Sequence, residues 1–362
     1  MEIVTVNLSQ RSYPVYIGQD FLGRVGRVAT DFHLGPKVLL VSDDQVYEFY
    51  GEKVRTSLQE AGFCTSLARV PPGEIYKSLS QAIKLYEACV KSKLDRDSTI
   101  MGMGGGVVGD LTGFVASTYL RGVDFVLLPT TLLAQLDSSI GGKVGVDLPQ
   151  GKNLVGSFYQ PRFVYTDLKV LKTLSWQQVK EGLAEVVKYG VIKDAEFFDW
   201  VEKNLERIKG LDLEVLSFAV KRSVEIKAKV VESDERELKG LRQILNFGHT
   251  IGHAIEASSG YRSYTHGEAV ALGMVGAARI AERMGYFPSP SAERLKSLLE
   301  AIGLPIRLEG VDEEKIWDAL QLDKKVREDR LHFVLPRKIG QVFLTPEVSP
   351  RVIRKTLQDL KK

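Results

Sequence analysis

Three of the five histidines in this 362-residue chain, His249, His253 and His266, lie between residues 249 and 266. Imidazole is the commonest metal-ligating side chain and the usual acid or base near neutral pH. In Leu245-Asn246-Phe247-Gly248-His249-Thr250-Ile251-Gly252-His253-Ala254, helical spacing puts His249 and His253 on one face. His266 follows a Gly-Tyr-Arg-Ser-Tyr loop and opens the next apolar run, Gly267 to Arg283, from which it could turn back to the same point. A catalytic zinc centre uses three protein ligands and keeps one position open, so two of these imidazoles need a third ligand, best a carboxylate. The competing reading is that two of the three are hydrogen-bonded core or helix-end histidines.

Glu185 is the candidate carboxylate. On Val179 to Ile192, Leu183, Val186, Val187 and Val191 form an apolar stripe, and Glu185 and Lys188 share a neighbouring face. Their alternative is an exposed ion pair worth a few tenths of a kcal/mol. Arg242 and Asn246, four apart, are expected on one helical face with His249 and His253, and a long preceding helix carries Lys227.

A second set of residues suits phosphate. Gly104-Gly105-Gly106-Val107-Val108-Gly109-Asp110 follows a strand, opens an apolar helix and matches G-x-G-x-x-G, whose glycines let backbone approach a pyrophosphate at a helix N-terminus. It falls after several βα units, unlike an ordinary dinucleotide fold. Asp43 ends another strand, where it could accept from a ribose diol or cap the next helix. Gly73, Glu74 and Lys77 occupy a loop after a third, and Thr130-Thr131 end a fourth. Asp137, Lys143, Lys152 and Asn153 fall in segments read as Gly-rich loops, which bring amides and ammonium groups to anionic oxygens. Each residue singly could equally be a solvated loop position.

The elements that must position these groups alternate. Residues 2–8 and 13–17 read as a hairpin-like opening, then strands at 37–43, 65–70, 98–102 and 125–129 alternate with helices, which predicts a Rossmann-like parallel sheet covered on both faces. After Phe163-Val164-Tyr165-Thr166-Asp167 the pattern turns helical, apart from a short strand at 331–336, so a domain boundary is placed near residue 172. The chain is long enough for two cores.

Lys+Arg (49) nearly balance Asp+Glu (46), and a net charge of +3 gives no basis for a nucleic-acid or membrane surface. Cys64 and Cys89 lack metal-ligand spacing, no leader pattern opens the chain and no run is long enough to span a membrane, so a cytoplasmic location is expected.

In combination, Gly-Gly-Gly-Val-Val-Gly-Asp, Pro-Thr-Thr-Leu-Leu-Ala-Gln-Leu-Asp-Ser-Ser-Ile-Gly-Gly-Lys, Ala-Glu-Val-Val-Lys-Tyr-Gly and Asn-Phe-Gly-His-Thr-Ile-Gly-His-Ala closely resemble the 3-dehydroquinate synthase family of sugar-phosphate cyclases, over nearly the whole chain. The resemblance implies an α/β N-terminal nucleotide-binding domain (1–172) followed by an all-α, or mainly helical, metal- and substrate-binding domain (173–362). It implies a divalent metal, zinc before cobalt, on Glu185, His249 and His266. It implies NAD held by Asp43, Gly73, Glu74, Lys77, Gly105, Gly106, Val107, Val108, Gly109, Asp110, Thr130, Thr131, Lys143, Lys152, Leu171, Lys172 and Thr173. Substrate contacts are implied for Asp137, Lys143, Lys152, Asn153, Lys188, Lys227, Arg242, Asn246, His253 and one of Lys324 or Lys325, with Lys188, His253, Asp137, Lys143, Arg242 and Asn246 in catalytic roles. A homodimer is implied, with Arg121 reaching the adjoining subunit's site.

The implied reaction turns 3-deoxy-D-arabino-heptulosonate 7-phosphate into 3-dehydroquinate and phosphate, in the shikimate pathway to aromatic amino acids. NAD takes hydride from substrate C5 and later returns it, phosphate leaves in between, and an aldol step closes the ring. Family members often carry Thr and Asn where this chain has Val144 and Asp147, and the Glu232 to Gly240 loop is slightly longer than usual, which leaves Glu237 without an assigned role. Rival readings are another cyclase such as 2-deoxy-scyllo-inosose synthase, whose substrate lacks the carboxylate that Arg242 and Lys227 suit, a polyol dehydrogenase of related fold, and a noncatalytic NAD-binding protein.

Overall fold

The computed structural model describes residues 1–260, 263–326 and 331–361, without the side chains of 323–326. Two compact units divide the chain: Met1–Leu174 with Leu216–Arg236, and Ser175–Val215 with Glu237–Lys362.

The first unit is built on nine strands: β1 (Glu2–Val6), β2 (Tyr13–Gly18), β3 (Lys37–Asp43), β4 (Cys64–Val70), β5 (Thr99–Gly104), β6 (Asp124–Pro129), β7 (Lys143–Leu148), β8 (Gly151–Phe158) and β9 (Val164–Asp167). Seven form one sheet in the order β1-β2-β9-β6-β5-β3-β4. All its neighbours run parallel except the β1–β2 hairpin. The inner strands β3, β5 and β6 are apolar almost throughout because both of their faces are covered, whereas edge strand β4 alternates toward solvent. Val38, Leu40, Met101, Met103, Val126 and Leu128 join one core with Phe163 and Tyr165.

The carboxyl ends of β3, β5, β6 and β9 end in Asp43, Gly104, Pro129 and Asp167. Asp167 is a structural plug: its carboxylate accepts the backbone N–H groups of Asp20, Phe21 and Leu22, all at 2.9 Å.

Two segments depart from the expectations. The 143–158 stretch is an antiparallel hairpin of β7 and β8 instead of Gly-rich loops, so Lys143, Lys152 and Asn153 sit on strands. Alternation of Val144 and Val146 with polar neighbours carries that hairpin, a signal the glycines obscure. A single boundary near 172 marks the first crossing only, because residues 216–236 return to the first unit. There Glu232 accepts the Asn7 N–H at 2.7 Å and Glu235 pairs with Arg11 at 2.6 Å.

The second unit is helical: Trp176–Lys193, Ala195–Lys209, His249–Ser258, His266–Arg283, Ser289–Ile302, Glu313–Val326 and Pro350–Leu360. The strand expected at 331–336 is β10 (Phe333–Lys338), paired with β11 (Gln341–Thr345). Ser175 and Gln178 form a capping box that starts the Trp176 helix, and Thr265 with Glu268 does the same before His266. Helix His266–Arg283 is rich in Gly and Ala and almost wholly buried. Its Gly273 faces Gly248: a Cβ on Gly273 would stand 1.8 Å from the Gly248 carbonyl oxygen. That close approach seats the His249 helix against the His266 helix.

Candidate functional site

Glu185, His249 and His266 arise on three helices of the second unit, and one ligand atom from each lies within 4.8 Å of the other two. Nε2 of His249 is 3.7 Å, and Nε2 of His266 3.8 Å, from Glu185 Oε1. Glu185 is completely buried, Oε1 meets no hydrogen-bond donor among the described residues, and Oε2 contacts the Lys188 ammonium. A buried carboxylate oxygen without a donor is costly. A cation accepted jointly with the two imidazoles would relieve that cost, and this carboxylate–diimidazole donor set suits zinc. The exposed-pair alternative for Glu185 and Lys188 does not hold, since Lys188 is only 2% exposed.

The outer contacts aim the imidazoles. His249 Nδ1 is 3.1 Å from the Phe247 carbonyl oxygen, and His266 Nδ1 is 3.2 Å from Glu256 Oε2. With the proton on Nδ1 in each ring, both Nε2 lone pairs face Glu185, the arrangement that metal-binding histidines adopt. Burial, followed by the charge of Lys188, holds His249 well below the ordinary histidine range, so its imidazole stays neutral. Glu256 was not singled out in the sequence. Its signal is the one acidic residue of the His249–Ser258 helix, seven positions after His249, and it is 3% exposed.

His253 sits one turn after His249, with ring centroids 5.2 Å apart. Arg242 and Asn246 do not continue that helix. They belong to a 3-10 turn, Leu241–Asn246, and Gly248 at φ +81° breaks the path before His249. Arg242 is nevertheless buried, 2% exposed. The side chains of Lys324 and Lys325 lie outside the described residues.

In the first unit, Gly104 ends β5, Gly105 precedes the helix Gly106–Thr118, and no side chain caps that helix. Val107, Val108, Gly109 and Asp110 form its first turns. A Cβ on Gly104 would meet Val108 at 2.6 Å, so this glycine is needed for packing, while Gly105 and Gly106 face Thr131 and Ser138. Uncapped amides at a helix N-terminus suit phosphate oxygens.

Beside this turn Lys77 is a nexus. Its ammonium is 3.3 Å from Asp110 Oδ2, 3.3 Å from Glu74 Oε1, 3.6 Å from Asp147 Oδ1 and 2.8 Å from Asn153 Oδ1. Lys152 reaches Glu74 at 3.7 Å, and Gly73, at φ +118°, turns the chain ahead of Glu74. The surrounding carboxylates outweigh burial and raise Lys77 above the ordinary lysine range; burial pushes Asp110 up to about 6. Asp147 was missed as a member of this group.

Lys227 donates to the Asp137 carbonyl at 2.8 Å and to its carboxylate at 2.7 Å. Asp43 Oδ1 caps the next helix by accepting the Val46 N–H at 2.8 Å, one of its two expected uses. Thr131 likewise accepts from Ala134, and Thr130 is buried. Leu171, Lys172 and Thr173 form a 3-10 turn, with Thr173 Oγ1 2.8 Å from the Tyr50 hydroxyl. Lys143 opens β7. Arg121 joins neither group: it stands at φ +70° in an exposed turn, and its side chain makes no hydrogen bond or ion pair among the described residues.

Family models for the 3-dehydroquinate synthase N-terminal and C-terminal regions match residues 67–181 and 182–326. The chain belongs to the 3-dehydroquinate synthase family. A 3-dehydroquinate synthase of Desulforamulus reducens is 50% identical over 350 residues, covering 96% of this chain and 97% of that protein. Another, of Caldanaerobacter subterraneus, is 51% identical over 354 residues, covering 98% and 99%. Among solved structures, 2-epi-5-epi-valiolone synthase from Streptomyces hygroscopicus, with NAD+ and Zn2+ bound, superposes with a TM-score of 0.90 at 27% identity, covering 98% of each chain. A 2-deoxy-scyllo-inosose synthase complexed with carbaglucose-6-phosphate, NAD+ and Co2+ gives 0.85 at 29% identity, covering 99% and 100%. The α/β unit followed by a helical unit is thus the fold of the sugar-phosphate cyclases. No described helix is long and apolar enough to cross a membrane.

Proposed function

We propose that the chain is an NAD-dependent 3-dehydroquinate synthase that converts 3-deoxy-D-arabino-heptulosonate 7-phosphate to 3-dehydroquinate and phosphate. The observation that carries this reading is the near-full-length match, at about half identity, to 3-dehydroquinate synthases. It sets aside the inosose and valiolone cyclases, which share the fold at 27–29% identity.

In this reading Glu185, His249 and His266 hold one divalent ion, zinc by donor type with cobalt as the geometric equivalent. The first unit is the NAD-binding domain, using Gly105 to Asp110, Thr130, Thr131, Asp43, Gly73, Glu74, Lys77, Lys143, Lys152 and the Leu171 to Thr173 turn. When bound, the metal would lower the pKa of the hydroxyl to be oxidised, and NAD would supply a reversible acceptor for the hydride of the carbon that bears it.

The side chains supply the rest. Arg242 offers a planar fork to the substrate carboxylate from a water-poor position. Lys188, beside Glu185, stabilises negative charge that develops next to the new carbonyl during elimination. His253, more exposed than His249, moves protons. Lys143, Asn153, Asn246 and Lys324 or Lys325 hold the phosphate, Lys152 and Asp137 orient substrate hydroxyls, and Lys227 adds a cation for the substrate carboxylate. We further infer a cytoplasmic homodimer in which Arg121 serves the partner's site.

Assaying phosphate release from the heptulosonate phosphate, glucose 6-phosphate and sedoheptulose 7-phosphate tests the substrate. Release from the first alone, with no net NADH, is expected. Turnover of either other sugar, or accumulation of NADH, would transfer the chain to a rival cyclase or dehydrogenase.

A further inference from the structure

The β7–β8 ladder is interrupted at one point. Val146 pairs with Val155 and Leu148 with Gly151, so Lys152, Asn153 and Leu154 together stand opposite the single residue Asp147. A bulge of this kind re-aims side chains and strips backbone groups of their ladder partners. Asn153 there adopts φ +56°, in the left-handed region that non-glycine residues enter only when held.

Asp147 supplies the hold. Its Oδ1 accepts the Asn153 N–H at 2.8 Å, and its own N–H donates to the Lys77 carbonyl at 2.7 Å. Lys77 Nζ in turn donates to Asn153 Oδ1 at 2.8 Å. Asn153 is therefore fixed through its backbone by Asp147 and through its side chain by a lysine whose backbone Asp147 also engages. The Asp147 side chain is 18% exposed, sheltered enough for these contacts to persist against water.

We propose that Asp147 is a positioning residue for substrate binding, acting through Asn153: it stabilises the left-handed turn that presents the Asn153 amide. The proposal rests on the reading that Asn153 contacts substrate phosphate. Nothing in it needs the negative charge of Asp147, because an acceptor at Oδ1 is what the Asn153 N–H requires. Lys77 keeps Glu74 and Asp110 at 3.3 Å without Asp147, so NAD affinity is not expected to follow.

The test is a double-mutant cycle on the metal-loaded enzyme, reading KM for the heptulosonate phosphate and kcat at saturating NAD, KM for NAD with NAD varied, and melting temperature, for Asp147→Ala, Asp147→Asn, Asn153→Ala and Asp147→Ala/Asn153→Ala. Expected are a rise in substrate KM of about 10-fold or more for Asn153→Ala and for Asp147→Ala, with the double variant within about twofold of Asn153→Ala. Asp147→Asn, which keeps the acceptor, should lie within about threefold of wild type, and NAD KM should change less than about twofold throughout. Wild-type substrate KM in Asn153→Ala would overturn the phosphate-contact reading and the proposal with it. An impaired Asn153→Ala beside an unimpaired Asp147→Ala, a fully additive double variant, or an Asp147→Asn as impaired as Asp147→Ala would overturn the proposal alone.

Discussion

Glu256 Oε2 lies 3.2 Å from His266 Nδ1, on the side of the ring away from Glu185. A carboxylate behind a metal-binding imidazole fixes its tautomer and raises its basicity. Glu256→Ala is therefore expected to weaken zinc binding about 10- to 100-fold, with a smaller change in melting temperature than in metal affinity. Competition with a chromogenic chelator reads this directly. Unchanged affinity would mean that His266 is held without Glu256.

Helix packing makes a second expectation. A methyl on Gly273 would stand 1.8 Å from the Gly248 carbonyl oxygen, a backbone atom that cannot step aside. Gly273→Ala should cost about 1–3 kcal/mol or more in urea denaturation by forcing the two histidine helices apart. It should also lower metal occupancy, because His249 and His266 sit on opposite sides of that contact. Wild-type stability in this variant would contradict the packing account.

How much of this could be read in the sequence depended on the range of the interaction. The parallel sheet, the glycine turn and the i, i+4 histidines are local patterns, and Gly104 to Asp110 lies where its strand–turn–helix spacing puts it. The break at Gly248 was invisible because periodicity continues across it, although only glycine tolerates φ +81° there cheaply. Asp147 and Glu256 gain their meaning from partners brought near by folding. The return of residues 216–236 to the first unit brings Lys221 to Glu2 and Glu235 to Arg11, each more than two hundred positions away. No window of helical periodicity carries that information.

Asp110 gives a pH dependence. Burial pushes its carboxyl up to about 6 from an ordinary 3.8, so the folded chain binds this proton more tightly than the unfolded one. The stability associated with Asp110 is then greatest below about pH 4 and falls as pH rises toward 6. Asp110→Asn should remove that slope and gain on wild type between pH 4 and 7, by on the order of 1–2 kcal/mol for a carboxyl still partly exposed. Urea midpoints across that range check it, and an equal difference at every pH would refute it.

Arg242 is 2% exposed and carries a charge that the proposed reaction uses on the substrate carboxylate. Arg242→Ala is expected to lower kcat/KM by about 2–4 kcal/mol, chiefly through a raised substrate KM, while NAD binding stays unchanged. Steady-state kinetics with both ligands varied separate the two effects. Wild-type kinetics would refute the assignment.

The central claim is that one divalent ion is shared by Glu185, His249 and His266. Metal content and phosphate release, measured together for wild type, Glu185→Gln and His249→Ala after chelation and zinc titration, test it most directly. The account predicts one zinc per wild-type chain, activity lost on chelation and restored at that ratio, and loss of both binding and turnover in each variant. Full activity in chelated wild type, or undiminished zinc binding in the variants, would contradict it.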